Sequence, residues 1–200
     1  MTQGLPLAER KRRQARDRIV RAAAELFDER GFDAVSVAEI ADRADVGRTT
    51  FFRHFGDKQE VVFAQEQELM ATITTAQEAS STPVPSTVTD AVAELQDVVV
   101  RLCAQATLDP VAYTRHYALV ARHPELRARD ALKMQSFAER LADILTVRGA
   151  DELTARFASQ IALACYQTAK GRPGANPLSL VADTERMFEQ ALSLGRSDAA

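Results

Sequence analysis

The sequence predicts an all-α protein: an N-terminal three-helix head containing a helix-turn-helix, then a larger helical domain. Three observations carry this. Apolar residues recur at helical offsets along nearly all of the 200 residues. No alternating strand pattern competes, since Val98-Val99-Val100 falls inside a helical period. Glycines and prolines cut the first 60 residues into short helical pieces and the rest into longer ones.

The first helix is expected from about residue 8 to Arg30. Ile19, Ala22, Ala23, Leu26 and Phe27 share one face, and Gly31 stops it. Ser36 with Glu39 reads as a capping box for a short helix that turns Val37, Ile40, Ala41 and Ala44 inward. Asp45-Val46-Gly47 is a turn, and Arg48 to about Phe55 is a second short helix. After Gly56, Asp57 is the expected cap, with Glu60 as partner, of a helix running to about residue 78. Ser80 to Ser86, rich in Ser, Thr and Pro, breaks it. Helical patterns follow at about 87–106, 110–122, 125–148, 151–170 and 178–194, with Pro110 and Pro124 placed as first-turn prolines. Residues 1–14 are read as a basic flexible arm, 15–62 as the head and 63–200 as the second domain, the helix from about 57 to 78 connecting the two.

Composition excludes several classes. With 46% hydrophobic and 26% charged residues the chain is an ordinary globular one. No run approaches the ~18 apolar residues of a membrane span. The basic, polar start lacks the apolar segment of a secretory signal, and two unspaced cysteines, Cys103 and Cys165, suit a reducing cytoplasm. The chain lacks GxxxxGK[ST], HExxH, GxSxG and GxGxxG, and His54, His116 and His123 have no metal-ligand spacing. No enzyme, cofactor or metal is therefore expected. The net charge of −3 is uneven: residues 1–21 carry seven basic and two acidic side chains, and residues 61–200 carry 13 and 17. A basic head on an acidic body suggests an anionic partner at one end, and a basic arm can equally be a solvated tail.

Two short helices joined by a glycine-containing turn match a helix-turn-helix, whose second helix enters a DNA major groove. Arg48, Thr49 and Thr50 stand where that helix reaches base edges, and arginine can donate two hydrogen bonds to guanine. Arg53, His54 and Lys58 suit phosphate, as does the helix start after Ser36. A solvated charged surface is the plain alternative for each of them, and His54 can equally be a spacer beside Phe55.

The run Val46-Gly47-Arg48-Thr49-Thr50-Phe51-Phe52-Arg53-His54-Phe55-Gly56-Asp57-Lys58 is similar to the recognition-helix signature of TetR-family transcriptional regulators. Ala22–Phe27, Gly31-Phe32, Val35-Ser36-Val37 and Ile40-Ala41 resemble that family's upstream pieces in order and spacing. The resemblance implies a repressor that binds a pseudo-palindromic operator in double-stranded DNA as a homodimer and is released by a small, largely hydrophobic effector. Carried onto this chain, Ser36, Thr50, His54 and Lys58 match positions that touch phosphate, and Ala38, Arg48 and Thr49 match positions that face bases. Val37, Gly47, Phe52 and Arg53 complete the candidate surface. Phe52 stands where the family usually has tyrosine, and Gly47 where it often has serine or a larger polar residue.

The resemblance further implies dimerisation through the last two helices, about 151–194. One stripe there is Phe157, Ile161, Ala164, Cys165 and Thr168; another is Leu180, Met187, Phe188, Ala191 and Leu192. Either stripe can also be ordinary core. Effector candidates among the preceding helices are Cys103, Tyr113, His116, Tyr117, Met134 and Phe137, again with core as the alternative. Arg122 to Arg129 resembles a branch that includes mycofactocin-type, acyl-CoA-responsive regulators. The rival reading is a helical ligand-binding or interaction protein whose head has weak or lost DNA binding.

Overall fold

The computed structural model describes residues 6–65, 84–172 and 176–194, and those residues are helical with no strand among them. The chain divides into two compact units, Met1–Gln67 and Glu68–Ala200. The all-α fold expected from the sequence is what the chain adopts.

In the N-terminal unit, α1 runs Leu7–Arg30, α2 Val37–Arg43, α3 Arg48–Phe55 and α4 Lys58–Val62. Helix α1 starts at Leu7, so residues 7–14 are its first two turns rather than a flexible arm. The predicted face of α1 is buried through Ile19, Ala22, Ala23 and Leu26. Gly31 ends it with φ 80°, and Gly56 ends α3 with φ 70°, both in the left-handed region that costs glycine nothing. The Ser36–Glu39 capping box forms in both directions. Asp45 takes φ 51° in the turn between α2 and α3, a conformation aspartate tolerates better than most residues. Asp57 caps α4 by accepting from the Glu60 N–H at 2.8 Å. Ile19, Ala22, Leu26, Ile40, Phe51 and Phe55 meet in one core. The far end of the helix expected to reach residue 78 lies outside the described residues.

In the second unit, α5 runs Val88–Ala106, α6 Pro110–Arg122, α7 Pro124–Val147, α8 Glu152–Gly171 and α9 Leu180–Leu194. Pro110 and Pro124 both open helices, as expected. Helix α8 packs against α5, α7 and α9. Its small residues Ala155, Ala158 and Ala162, all fully buried, let those neighbours approach closely. Leu95, Val98, Leu141, Leu145 and Phe188 fill the space between them. The two predicted stripes on α8 and α9 divide. Phe157, Ala164 and Thr168 are exposed and Ile161, Met187, Ala191 and Leu192 half-buried, whereas Cys165, Leu180 and Phe188 point into the core. Apolar residues occupy more than one side of each helix, so spacing alone did not separate the faces. Among the described residues no helix is long and apolar enough to cross a membrane.

Candidate nucleic-acid interface

Helix α3 is oriented by two aromatic anchors. Phe51 is fully buried and Phe55 nearly so, four residues apart on one face. The opposite face must then point outward, and Arg48, Thr49, Phe52 and Arg53 are exposed on it. Thr50 and His54 lie half-buried at its flank. Phe52 is 51% exposed and touches Phe51 edge to face, with ring centroids 5.7 Å apart. A large apolar ring held at a surface otherwise made of arginine and threonine offers contact to a thymine methyl rather than a hydrogen bond. Gly47, the exposed residue just before α3, has open space where a Cβ would stand and an ordinary negative φ. Nothing local requires glycine there.

The residues expected at phosphate fall into two groups. His54 belongs to a cationic cluster: burial, then Arg12, Arg16 and Arg53, push its pKa below the usual histidine range. Arg16 also lies 5.5 Å from the centroid of the Phe55 ring. Arg12 and Arg16 come from α1, so the basic stretch seen in the sequence becomes part of the same surface as the end of α3. That juxtaposition was missed from sequence, whose only signal was the four-residue spacing of the two arginines.

Ser36 and Lys58 hold the head together. The Ser36 hydroxyl donates to Glu39 Oε2 at 2.7 Å and accepts from the Glu39 N–H at 3.3 Å. The Ser36 hydroxyl, the Arg30 guanidinium and the Ser36 backbone N–H, which donates to Oε2 at 2.9 Å, pull the Glu39 carboxyl from 4.5 down to about 2. Lys58 Nζ donates to the carbonyls of Phe32 at 2.8 Å and Val35 at 2.9 Å, and lies 4.4 Å from the Phe32 ring centroid. Its ammonium therefore clamps the α1–α2 loop, a use that no local pattern announces. Val37 and Ala38, in the first turn of α2, are half-buried, and Val37 packs against the head's core.

The second unit contains a cavity of about 510 Å³ lined by residues of α6, α7, α8 and the segment leading into α9. Of the six effector candidates, Tyr113 and Tyr117 line it, their ring centroids 4.5 Å apart. Cys103 and Phe137 are core residues instead, and Met134 packs against that core. Burial raises the Cys103 thiol to about 11, which keeps it protonated. His116 meets the Tyr117 ring edge to face at 4.7 Å. The lining also contains Arg127, Asp130 and Lys170, which sequence reasoning missed. The three-residue spacing of Arg127 and Asp130 on α7 was the available signal; Lys170 lies 40 residues beyond Asp130.

Residues 19–64 match the sequence model of "Bacterial regulatory proteins, tetR family". The chain is 30% identical over 197 residues to the HTH-type transcriptional regulator TcmR of Streptomyces glaucescens, covering 94% of this chain and 86% of that protein. A 53-residue stretch is 40% identical to the HTH-type transcriptional activator FasR of Mycolicibacterium smegmatis, 26% of this chain and 24% of that one. In fold it resembles SmeT, the repressor of the Stenotrophomonas maltophilia multidrug efflux pump SmeDEF, with TM-score 0.54 and 21% identity over 90% of this chain and 89% of SmeT. Near-full-length kinship to one such regulator, and a family match seated on a head whose α3 displays Arg48 and Thr49, make the chain a member of the TetR family of bacterial transcriptional regulators.

Proposed function

We propose that the protein is a homodimeric repressor that seats α3 of each head in successive major grooves of a pseudo-palindromic operator and leaves it on binding a small molecule. The observation that carries this is the outward face of α3. Arg48 and Thr49 open the helix, exposed, while Phe51 and Phe55 fix its roll. Arg48 reads base edges with Thr49, and Phe52 supplies an apolar contact. Arg53 and the Arg12–Arg16–His54 cluster bind backbone phosphate.

One head reads too few base pairs to be selective, and helix-turn-helix dimers span half-sites ~34–36 Å apart or a multiple of it. The exposed apolar residues of α8 suit a second copy: Leu153 is 78% exposed and Phe157 60%, four residues apart on one face. A dimer covering two half-sites occludes the duplex beneath it, so repression is the direct consequence of binding. An effector held in the second unit releases DNA by favouring a head separation that no longer fits the grooves, to the extent that it binds that state more tightly.

The test is selection of bound fragments from random duplexes, followed by titration at several salt concentrations. A sequence-selective protein shows log K falling steeply with log salt. Arg48→Ala is expected to cost about 1–3 kcal/mol on the selected site and to relax preference at one base position per half-site. No selected sequence and a flat salt response would instead make the chain a helical ligand-binding or interaction protein.

A further inference from the structure

We infer that the cavity of the second unit takes an aromatic acid that also carries a hydroxyl or amine hydrogen-bond donor. Its consequence, release from DNA, rests on the effector reading above; binding itself does not.

The cavity's volume, about 510 Å³, is that of a cleft for a drug-sized molecule. Its polar groups are specific. Asp130 Oδ2 accepts from Lys170 Nζ at 3.3 Å. Asp130 Oδ1 is buried and has no hydrogen-bond partner among the described residues. A buried carboxylate oxygen in that state is costly, and a turn of the Asp130 side chain toward the cavity it lines lets a ligand donor remove the cost. A neutral aliphatic tail would leave it unmet.

Arg127 lines the same cavity three residues away on α7, and its guanidinium makes no ion pair or hydrogen bond with a described residue. Residues at that spacing are neighbours on a helix surface, about 5–6 Å apart at Cβ. The site therefore presents an acceptor and a cation side by side. Lys170 balances Asp130, so Arg127 is the excess charge, and it calls for one negative group.

Two tyrosines add rings to a lining that is otherwise small and aliphatic, with Thr114 and Asn176. Tyr113 and Tyr117 tilt 54° to one another, Lys170 Nζ lies 4.0 Å from the Tyr117 ring centroid, and the Tyr117 hydroxyl meets that of Tyr166 at 3.2 Å. Rings flanked this way accept another planar ring by offset or edge contact. A cationic ligand would have to displace Lys170 from the Tyr117 face and then meet Arg127.

Four fluorescent probes test this on the full chain: 6-hydroxy-2-naphthoate, 2-naphthoate, 2-naphthol and rhodamine 6G. The hydroxy acid is expected to bind about tenfold more tightly than either single-group analogue, the factor a hydrogen bond to a charged group supplies. Arg127→Gln, at the exposed rim, should remove its advantage over 2-naphthol. Asp130→Ala should remove its advantage over 2-naphthoate. Should Asp130→Ala fail to fold, Arg127→Gln decides alone. Tightest binding by rhodamine 6G, indistinguishable affinities for all four, or an Arg127→Gln protein that binds like the parent would overturn the inference. Repeating the titration on the DNA-bound protein separates the two claims: binding without release keeps the ligand class and removes the release mechanism, and the reverse holds if another compound releases DNA while the hydroxy acid does not bind.

Discussion

In the N-terminal unit, Arg30–Glu39, Arg43–Glu29 and Arg18–Asp45 all join side chains at least 39% exposed, whereas in the second unit Glu94–Arg148 and Asp130–Lys170 join side chains no more than 20% exposed. The difference is physical as well as positional. Exposed pairs contribute little each and are screened by salt, so the head is held chiefly by its aromatic core and its caps. Buried pairs pay for desolvation, and removing one partner strands the other. The head is thus an apolar frame carrying solvated charge, and the second unit a bundle that, besides exposed pairs such as Glu152–Arg156, keeps Glu94–Arg148 and Asp130–Lys170 largely inside, the latter at the cavity.

The strongest way to break this contrast is to remove the frame. Phe51→Ala deletes a fully buried ring on which α3 turns, and should cost about 3–5 kcal/mol. Chemical denaturation followed by far-UV circular dichroism is expected to show an early transition from loss of the head, with the second unit's helices surviving to higher denaturant. A single unshifted transition would show that Phe51 does not carry the head.

Lys58 sharpens the same contrast, because it is a cation used as frame. Lys58→Ala removes the charged donor from the Val35 carbonyl and leaves the Phe32 carbonyl only the long bond from the Val35 N–H at 3.4 Å, at about 1.5–3 kcal/mol for charge-assisted bonds. Melting temperature should fall, while the salt slope of duplex binding stays that of the parent. An unchanged melting temperature with a shallower salt slope would return Lys58 to the phosphate role expected from its sequence position.

Lys58 also shows where sequence reasoning reached and where it stopped. The caps at Ser36 and Asp57, the stops at Gly31 and Gly56, and the proline starts at Pro110 and Pro124 are local, set within a few residues, and all were legible. Lys58's acceptors lie 26 and 23 residues away, and Asp130 lies 40 from Lys170. Such pairings depend on how helices cross, which spacing does not encode. Cys165 and Phe188 show a third case: their helices are apolar on more than one side, so the inward face is settled only by the neighbours.

A smaller effect comes from His54. Its pKa lies below the ordinary 6.5 because burial and Arg12, Arg16 and Arg53 disfavour the imidazolium. The folded head therefore binds fewer protons there than the unfolded chain, so His54's contribution to stability is present above 6.5 and is lost as pH falls below it. Phosphate beside those arginines acts in the opposite sense, favouring the imidazolium. Duplex affinity should rise as pH falls below 6.5 while the melting temperature falls, and His54→Gln should flatten both trends. Affinity independent of pH in the parent would place phosphate away from this cluster.

The smallest effect is expected at Gly47, where frame and surface meet. Gly47 is the N-cap of α3 with φ −70° and ψ 148°, and no side chain caps the helix. A Cβ there meets nothing within 4 Å. Serine fits that backbone and can accept a hydrogen bond from the first turn, so Gly47→Ser should stabilise the head by only a few tenths of a kcal/mol, the usual difference between glycine and serine at a cap. The added hydroxyl also stands beside Arg48, at the end of α3 that the proposed mode of binding turns toward the groove. If that end lies against DNA, duplex affinity should change by more than the cap alone explains, because the cap is already formed in the free protein and cancels from the binding equilibrium. A melting temperature that rises slightly with no change in affinity would move the helix start away from the duplex, and Arg48 with it.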